Sequence, residues 1–291
     1  MFLGVCGPSN IVLAFPRPLK AIGNEDHRNR IASPPRIFSL PFIFIKIFLK
    51  FLFTDLDGTF LGGTKQDQTR LLQAIEHSKI GLVYVSGRAH PRIFPAIDSN
   101  ELARPMAVIS DVGTSLWNGE GNILSQDYDA LMTSRWGDGS TRLRNELEPF
   151  FEQGLAEQPL FGPHRYSLYF TDSKIAQRAA ERIESLGFDS LVSDNQYLDV
   201  LPQGVNKGFA VNWLMSHWGL SADQVLLAGD TLNDLAMLSL PIPAVVVANA
   251  EPALKETLLT SNKRPELMFA SRDGAAGIYE SLAQLGWIPQ H

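Results

Sequence analysis

"FLFTDLDGTF", residues 51–60, sets two aspartates two positions apart at the end of an apolar run. Phe51, Leu52 and Phe53 read as a strand covered on both faces, because a strand with one wet face alternates apolar with polar residues. Asp55 closes that strand and Asp57 lies beyond it, while Gly58 lets the backbone bend away without a Cβ clash. Two like charges delivered to one place can hold different jobs. One carboxylate can attack as a nucleophile and the other can give and take a proton.

Working outward, "GLVYVSG", "MAVISDVG", "QVLLAGD" and "AVVVAN" repeat the short, nearly continuous apolar pattern and read as further buried strands. Between them Lys65 to Ser78, Asn206 to Trp218 and Asp234 to Leu238 read as helices, with Leu71, Leu72 and Ile75 on one stripe of the first. Strands alternating with helices predict an α/β fold, a parallel sheet covered by helices. From about Gln126 to Pro202 the rhythm changes to "RYSLYF", a helical "KIAQRAAERIESLG", then "DSLVSD" and "YLDVLP". This stretch is expected to form a smaller α+β insertion at the edge where the strands end. Ligands of open α/β sheets bind at that carboxyl edge.

The chain has 291 residues, 45% of them hydrophobic and 19% charged, enough for about two domains. Its net charge of −6 supplies no basic excess for phosphate-backbone contacts, which argues against nucleic acid as a partner. The single cysteine, Cys6, excludes an intrachain disulfide framework and gives no cluster for zinc, which is compatible with a reducing, cytoplasmic setting. Charge divides unevenly: the first 50 residues carry +5 and the remainder −11. Residues 1–49, punctuated by "FPRPLK" and "ASPPR", are expected to be a poorly ordered extension. The apolar run from Ile37 to Phe53 is broken by Pro41, Lys46 and Lys50. A spanning helix needs about 20 uninterrupted apolar residues, so no membrane segment is expected.

Three of the strands end in polar residues: Asp55 and Asp57, then Ser86, then Asp230 with Asn233 and Asp234. Four carboxylates in one crevice would raise one another's pKa values unless positive charge sits among them. A hard divalent cation answers that need, and Mg²⁺ takes one or two carboxylates together with a substrate phosphate. Lys207 and Arg88 offer the further positive charge such a phosphate requires. Aspartates at strand-to-helix junctions also serve as caps, a plainer role that does not account for their order along the chain. Lys207 at a helix start opposes the helix dipole, which also points to function. Trp117, Trp136 and Trp213 are read as core residues.

"DLDGT", "VSGR", the Lys207 of "VNKG" and "GDTLND" occur in the order and spacing of the four motifs of haloacid-dehalogenase-superfamily phosphatases, which the chain resembles over about residues 50–291. The resemblance implies a Rossmann-like core, residues 50–125 and 203–291, and an inserted α/β cap of the IIB type, residues 126–202. Through "LVYVSGR", "ISDVGTSLW", "LDVLPQGVNKG" and "AAGIYESLAQLGW" the chain further resembles the sucrose-phosphate phosphatase branch. Members of that branch usually read DLDNT and GDSGND where this chain has Gly58 and Leu232.

What the resemblance implies for the site is an aspartyl-phosphate formed on Asp55, with Asp57 as acid and base and with Ser86 and Lys207 completing the catalytic set. The carboxylates of Asp55 and Asp230 and the backbone carbonyl of Asp57 would hold Mg²⁺, with Asp234 and Asn233 in support. Gly87, Arg88, Asp111, Arg165 and Asn233 are the expected substrate contacts. The expected substrate is a phosphorylated sugar or glycoside, with sucrose 6-phosphate leading and glucosylglycerol, mannosylfructose and hexose phosphates as competitors. A phosphomutase or phosphotransferase, which returns the phosphoryl group to a sugar, is the alternative within the same chemistry. A non-catalytic sugar-phosphate-binding protein is the third.

Overall fold

In the computed structural model the described residues are 49–159, 161–193, 196–261 and 266–289. The expectations for residues 1–48, among them Cys6 and most of the leading apolar run, lie outside them. Strand β1 (Lys50–Thr54) is central to a seven-stranded sheet with β2 (Ile80–Val85), β3 (Ala107–Ser110) and β4 (Ser115–Asn118) on one side. On its other side lie β9 (Val225–Gly229), β10 (Ala244–Val246) and β11 (Leu267–Phe269). β1 pairs in parallel with β2 and β9, Phe51 lying opposite both Gly81 and Val225.

Side-chain alternation along β1 feeds two cores. Phe51 and Phe53 enter one with Val85, Leu214 and Leu227, whereas Leu52 enters the other with Leu71, Tyr84 and Ile278. A strand buried on both faces has no position for a polar residue, which is why it reads as an unbroken apolar run. Helices α1 (Lys65–His77), α2 (His90–Asp98), α6 (Lys207–Trp218), α7 (Leu235–Leu238), α8 (Pro252–Ser261) and α9 (Gly274–Gln284) complete these layers.

The sheet is mostly, not wholly, parallel. After β3 the chain turns through Asp111, Val112 and Gly113, all at positive φ (53°, 58° and 105°), and β4 returns antiparallel with Asn118 opposite Ala107. The apolar pattern of "MAVISDVG" marks the strand and carries no sign of this reversal.

Residues 126–202 form α3 (Gln126–Trp136), α4 (Gly139–Phe151), α5 (Ser173–Ser185) and strands β5 (Leu155–Glu157), β6 (Tyr166–Phe170), β7 (Phe188–Ser193) and β8 (Tyr197–Pro202). The strands make a second, antiparallel sheet in the order β5-β6-β8-β7. Its own core holds Leu143 and Leu147 of α4, Ala179 and Ile183 of α5, and Leu168, Leu198 and Val200 of the sheet. α3 joins the two parts: Tyr128 and Met132 lie in the core with Phe53, and Trp136 lies in the second core. Among the described residues no helix is long and apolar enough to cross a membrane.

Candidate active site

Asp55 follows β1 directly, and its N–H donates to the Ala228 carbonyl of β9 at 2.9 Å, which fixes the residue where the two central strands end. From there Leu56–Phe60 makes one wide turn in which Asp57 and Gly58 leave helical geometry. Gly58 has φ +74°, and a Cβ there would lie 2.0 Å from Asp230 Oδ2, so the first loop closes against β9 only because that side chain is missing.

Lys207 is the first residue of α6, a helix capped by Asn206, whose side chain accepts the Phe209 N–H at 2.9 Å. Its ammonium is fully buried and donates to Asp55 Oδ1 and Asp234 Oδ1, each at 2.7 Å. Asp234 Oδ2 in turn accepts the N–H groups of Asp230 (3.0 Å) and Thr231 (3.1 Å), tying down the turn after β9. Thr59 Oγ1 donates to Asp230 Oδ1 at 2.6 Å. Five side chains from three distant parts of the chain, Asp55 and Thr59, Lys207, and Asp230 and Asp234, thus meet in one buried cluster.

This cluster is short of positive charge. Ligand oxygens of Asp55, Asp230 and Asp234 lie within 4.8 Å of one another, with one ammonium among three buried carboxylates. Burial holds the Asp55 carboxyl well above the ordinary carboxylate range, with Lys207 opposing and Asp234 and Asp230 adding to the rise. Burial likewise pushes Asp230 up to about 7, Thr59 opposing and Asp234 adding. All the donors are hard oxygens, and the Oδ1 of Asn233 is buried without a hydrogen-bond partner. An oxygen-rich, electron-rich cluster of this kind fits a magnesium-class cation.

The cluster opens into a cleft of about 490 Å³ lined by residues of both sheets. Asp57, Gly87, Arg88 and Asn233 line it from the large sheet, and Gln158, Arg165, Tyr197 and Asp199 from the small one. Arg88 grips the Asp57 carboxylate with two N–H groups, Nε at 2.8 Å and Nη2. Ser86 is fully buried, and its Oγ accepts the Arg88 N–H at 3.0 Å. Asp111 lies buried, accepting the Gly162 N–H at 2.7 Å and the Ser110 hydroxyl at 2.9 Å. Arg165 is buried too, its Nε and Nη2 on Asp199 Oδ1 at 3.0 and 2.6 Å and its Nη1 on the Gly87 carbonyl. The side chains of Asp111 and Arg165 are therefore engaged with protein, and the Asp57 carboxylate stands apart from the buried cluster.

Cleft and cluster residues not singled out from the sequence include Thr59, Gln158, Tyr197 and Asp199. Thr59 sits inside the quoted first motif, and Asp199 is the one charge between Leu198 and Val200 on a strand, a break in apolar character that marks a buried partner. Nothing local distinguishes Gln158. The tryptophans serve the cores: Trp136 packs edge-on against Phe188, Trp213 against Tyr128, and Trp117 Nε1 donates to Ser110 Oγ at 2.8 Å.

Comparison with known proteins agrees with this architecture. The family model described as sucrose-6F-phosphate phosphohydrolase matches residues 48–286. The glucosylglycerol-phosphate synthase of Pseudomonas anguilliseptica is 39% identical over 240 residues, which are 81% of this chain and 31% of that protein. Sucrose-phosphatase 2 of Nicotiana tabacum is 28% identical over 212 residues, 69% of this chain and 49% of that one. The chain therefore spans 31% and 49% of the length of these two relatives. In fold it is similar to the sucrose-phosphatase of Synechocystis sp. PCC6803, solved with sucrose and phosphate, at a TM-score of 0.72 and 23% identity over 82% of this chain and 98% of that one. A match covering most of the chain, on a mostly parallel sheet whose strand ends carry three of the four motifs, places it in the sucrose-6F-phosphate phosphohydrolase family of haloacid-dehalogenase-superfamily phosphatases.

Proposed function

We propose that the chain is a Mg²⁺-dependent phosphatase that hydrolyses a phosphorylated sugar through an aspartyl-phosphate, with residues 50–125 and 203–291 as its catalytic core and 126–202 as a cap that closes the cleft. The observation that carries this reading is the Lys207 ammonium held 2.7 Å from both Asp55 and Asp234, which unites three of the four motifs at the floor of the cleft.

In the first step a carboxylate oxygen of Asp55 attacks phosphorus as the bond to the sugar oxygen breaks, and Asp57 gives that oxygen a proton. In the second, Asp57 takes a proton from water as the water attacks phosphorus, which returns Asp55 as a carboxylate and releases inorganic phosphate. Asp55 Oδ1 is turned to Lys207, leaving Oδ2 as the attacking atom. Lys207 offsets charge on the nucleophile, and the Ser86 hydroxyl with the Gly87 N–H holds phosphoryl oxygens, the Ser86 and Arg88 N–H groups being bonded to the Ile109 carbonyl and to Ser86 Oγ. Mg²⁺ would be held by Asp55, Asp230 and the Asp57 carbonyl, and it supplies positive charge against the phosphoryl oxygens and the carboxylates. Both Asp234 oxygens are taken by Lys207 and by backbone N–H groups, so its part is to anchor those neighbours. Positioning and charge are most of what phosphoryl transfer needs from a protein.

Sucrose 6-phosphate is the leading substrate, supported by the family match. The 39% identity to a protein named glucosylglycerol-phosphate synthase supports glucosylglycerol phosphate as the second reading. A phosphate-release screen over these and hexose phosphates with Mg²⁺, with Asp55→Asn as control, tests the proposal. Release by the wild type, lost in Asp55→Asn, is expected, and full turnover in Asp55→Asn would sink the mechanism. Run in ¹⁸O-water, the released phosphate carries solvent oxygen if water is the acceptor, whereas a phosphomutase releases none.

A further inference from the structure

The carbonyls of Ser86, Gly87 and Arg88, three in a row on the loop after β2, are all held by donors outside the loop. Ser86 O accepts the Val112 N–H at 3.2 Å, Arg88 O accepts the Asp111 N–H at 3.0 Å, and Gly87 O accepts Arg165 Nη1. In a planar trans peptide the C=O of one residue and the N–H of the next point in opposite directions. Pinning these three carbonyls therefore fixes the N–H groups of Gly87, Arg88 and Ala89, residues that line the cleft, and the Arg88 N–H so held donates to Ser86 Oγ at 3.0 Å.

The clamp has two jaws. One is the turn at Asp111 and Val112, both at positive φ, a conformation that a β-branched valine adopts only under constraint. The other is Arg165, which reaches the loop from the four-stranded lobe, anchored on Asp199 and 3.7 Å from Asp111 Oδ1. Gly162, in the same segment of the lobe, donates its N–H to Asp111, so one residue ties the two jaws together.

We propose that Arg165 is a positioning residue: from the lobe it holds the Gly87 carbonyl, and so the Arg88 N–H that donates to Ser86 Oγ and orients that hydroxyl, while the Asp111–Val112 turn keeps the Gly87 and Ala89 N–H groups aimed at the phosphoryl group. The phosphate cradle is then complete only when the lobe is seated, and closure over substrate is what assembles it. This rests on the reading of the Ser86–Arg88 loop as the phosphoryl cradle. It also gives Arg165 and Asp111 a role that does not depend on the sugar.

Arg165→Lys keeps a cation beside Asp199 but loses the fork that reaches Gly87. The test compares p-nitrophenyl phosphate, which has no sugar, with the sugar phosphate found by the screen. Misplacing a reacting group by about 1 Å can cost on the order of 10²-fold. A fall of kcat of about that size on both substrates is expected, together with at least about tenfold faster amide exchange at Asp111 and Val112. A loss confined to the KM of the sugar phosphate, with kcat on p-nitrophenyl phosphate intact and exchange unchanged, would make Arg165 a sugar contact and overturn the proposal. If Arg165→Lys does not fold, Arg165→Gln with Asp199→Asn removes the buried pair together and is read the same way. Wild-type protein that releases phosphate from neither substrate defeats the phosphatase reading instead, and amide exchange alone then decides the clamp: faster exchange supports it, unchanged exchange overturns it.

Discussion

Lys207 shows what a single buried charge does here. Its ammonium is wholly enclosed and bonded to two carboxylates, so replacing it leaves Asp55 and Asp234 buried without their partner. Removing one member of a buried pair costs about 3–5 kcal/mol. Lys207→Met should lose that much unfolding free energy in urea with EDTA present, and should lose turnover as well. A loss below about 1 kcal/mol, the range of an exposed pair, would contradict the buried geometry. Asp230 predicts a pH effect of definite sign. Unfolded, it releases its proton near the ordinary 3.8, whereas folded and metal-free it keeps it to about 7. The folded state binds more protons between these values, so this residue makes stability fall as pH rises from 3.8 to about 7. Urea titrations across that window in EDTA should show a shallower fall for Asp230→Asn than for the wild type. Gly58→Ala would drive a Cβ into Asp230 Oδ2. It should weaken Mg²⁺ about 10- to 100-fold, as displacement of metal-site support does, measured by Mg²⁺ titration of turnover.

Helix α6 is placed by contacts that its apolar pattern does not announce. A Cβ on Gly208 would stand 2.5 Å from the Ala236 carbonyl of α7, so the helices touch backbone to backbone one residue after Lys207. Gly208→Ala should push α6 outward and carry Lys207 away from Asp234, lowering kcat more than tenfold. The neighbouring variant Asn206→Ala, which removes the helix cap, should cost about 1 kcal/mol of stability. Circular dichroism melts alongside kinetics separate the two effects, and an unchanged kcat in Gly208→Ala would contradict the close approach. The elements themselves were largely readable: β1, β2, β3, β9 and β10, and helices α1, α6 and α7, lie where apolar runs and periodicity put them. What was not readable was β4, because its direction depends on left-handed backbone at Asp111 and Val112, residues whose types do not demand it. Nor was α3, whose apolar residues divide between two cores: Met132 faces one and Trp136 the other, which blurs a single stripe.

At the scale of the molecule, two sheets with separate cores line the cleft, and a cation bound at its floor would be linked to folding. A ligand that binds only the folded state at a hundredfold its Kd stabilises by about 2.7 kcal/mol. Mg²⁺ at that concentration should raise the unfolding free energy of the wild type by this amount and that of Asp230→Ala by far less. An equal rise in both would place the cation elsewhere.

The sequence by itself determined which residues the candidate site draws on. Asp55, Asp57, Ser86, Lys207, Asp230 and Asp234 stand at the ends of strands and the start of a helix, where local pattern and motif order reveal them. Only the tertiary structure decided what closes the site. Arg165 and Asp199 are 34 residues apart and meet through the antiparallel register of β6 and β8, and Arg165 and Gly87 are 78 apart and meet because the lobe is seated on the core. Contacts of that separation are set by packing between layers, and no local pattern in the chain encodes them.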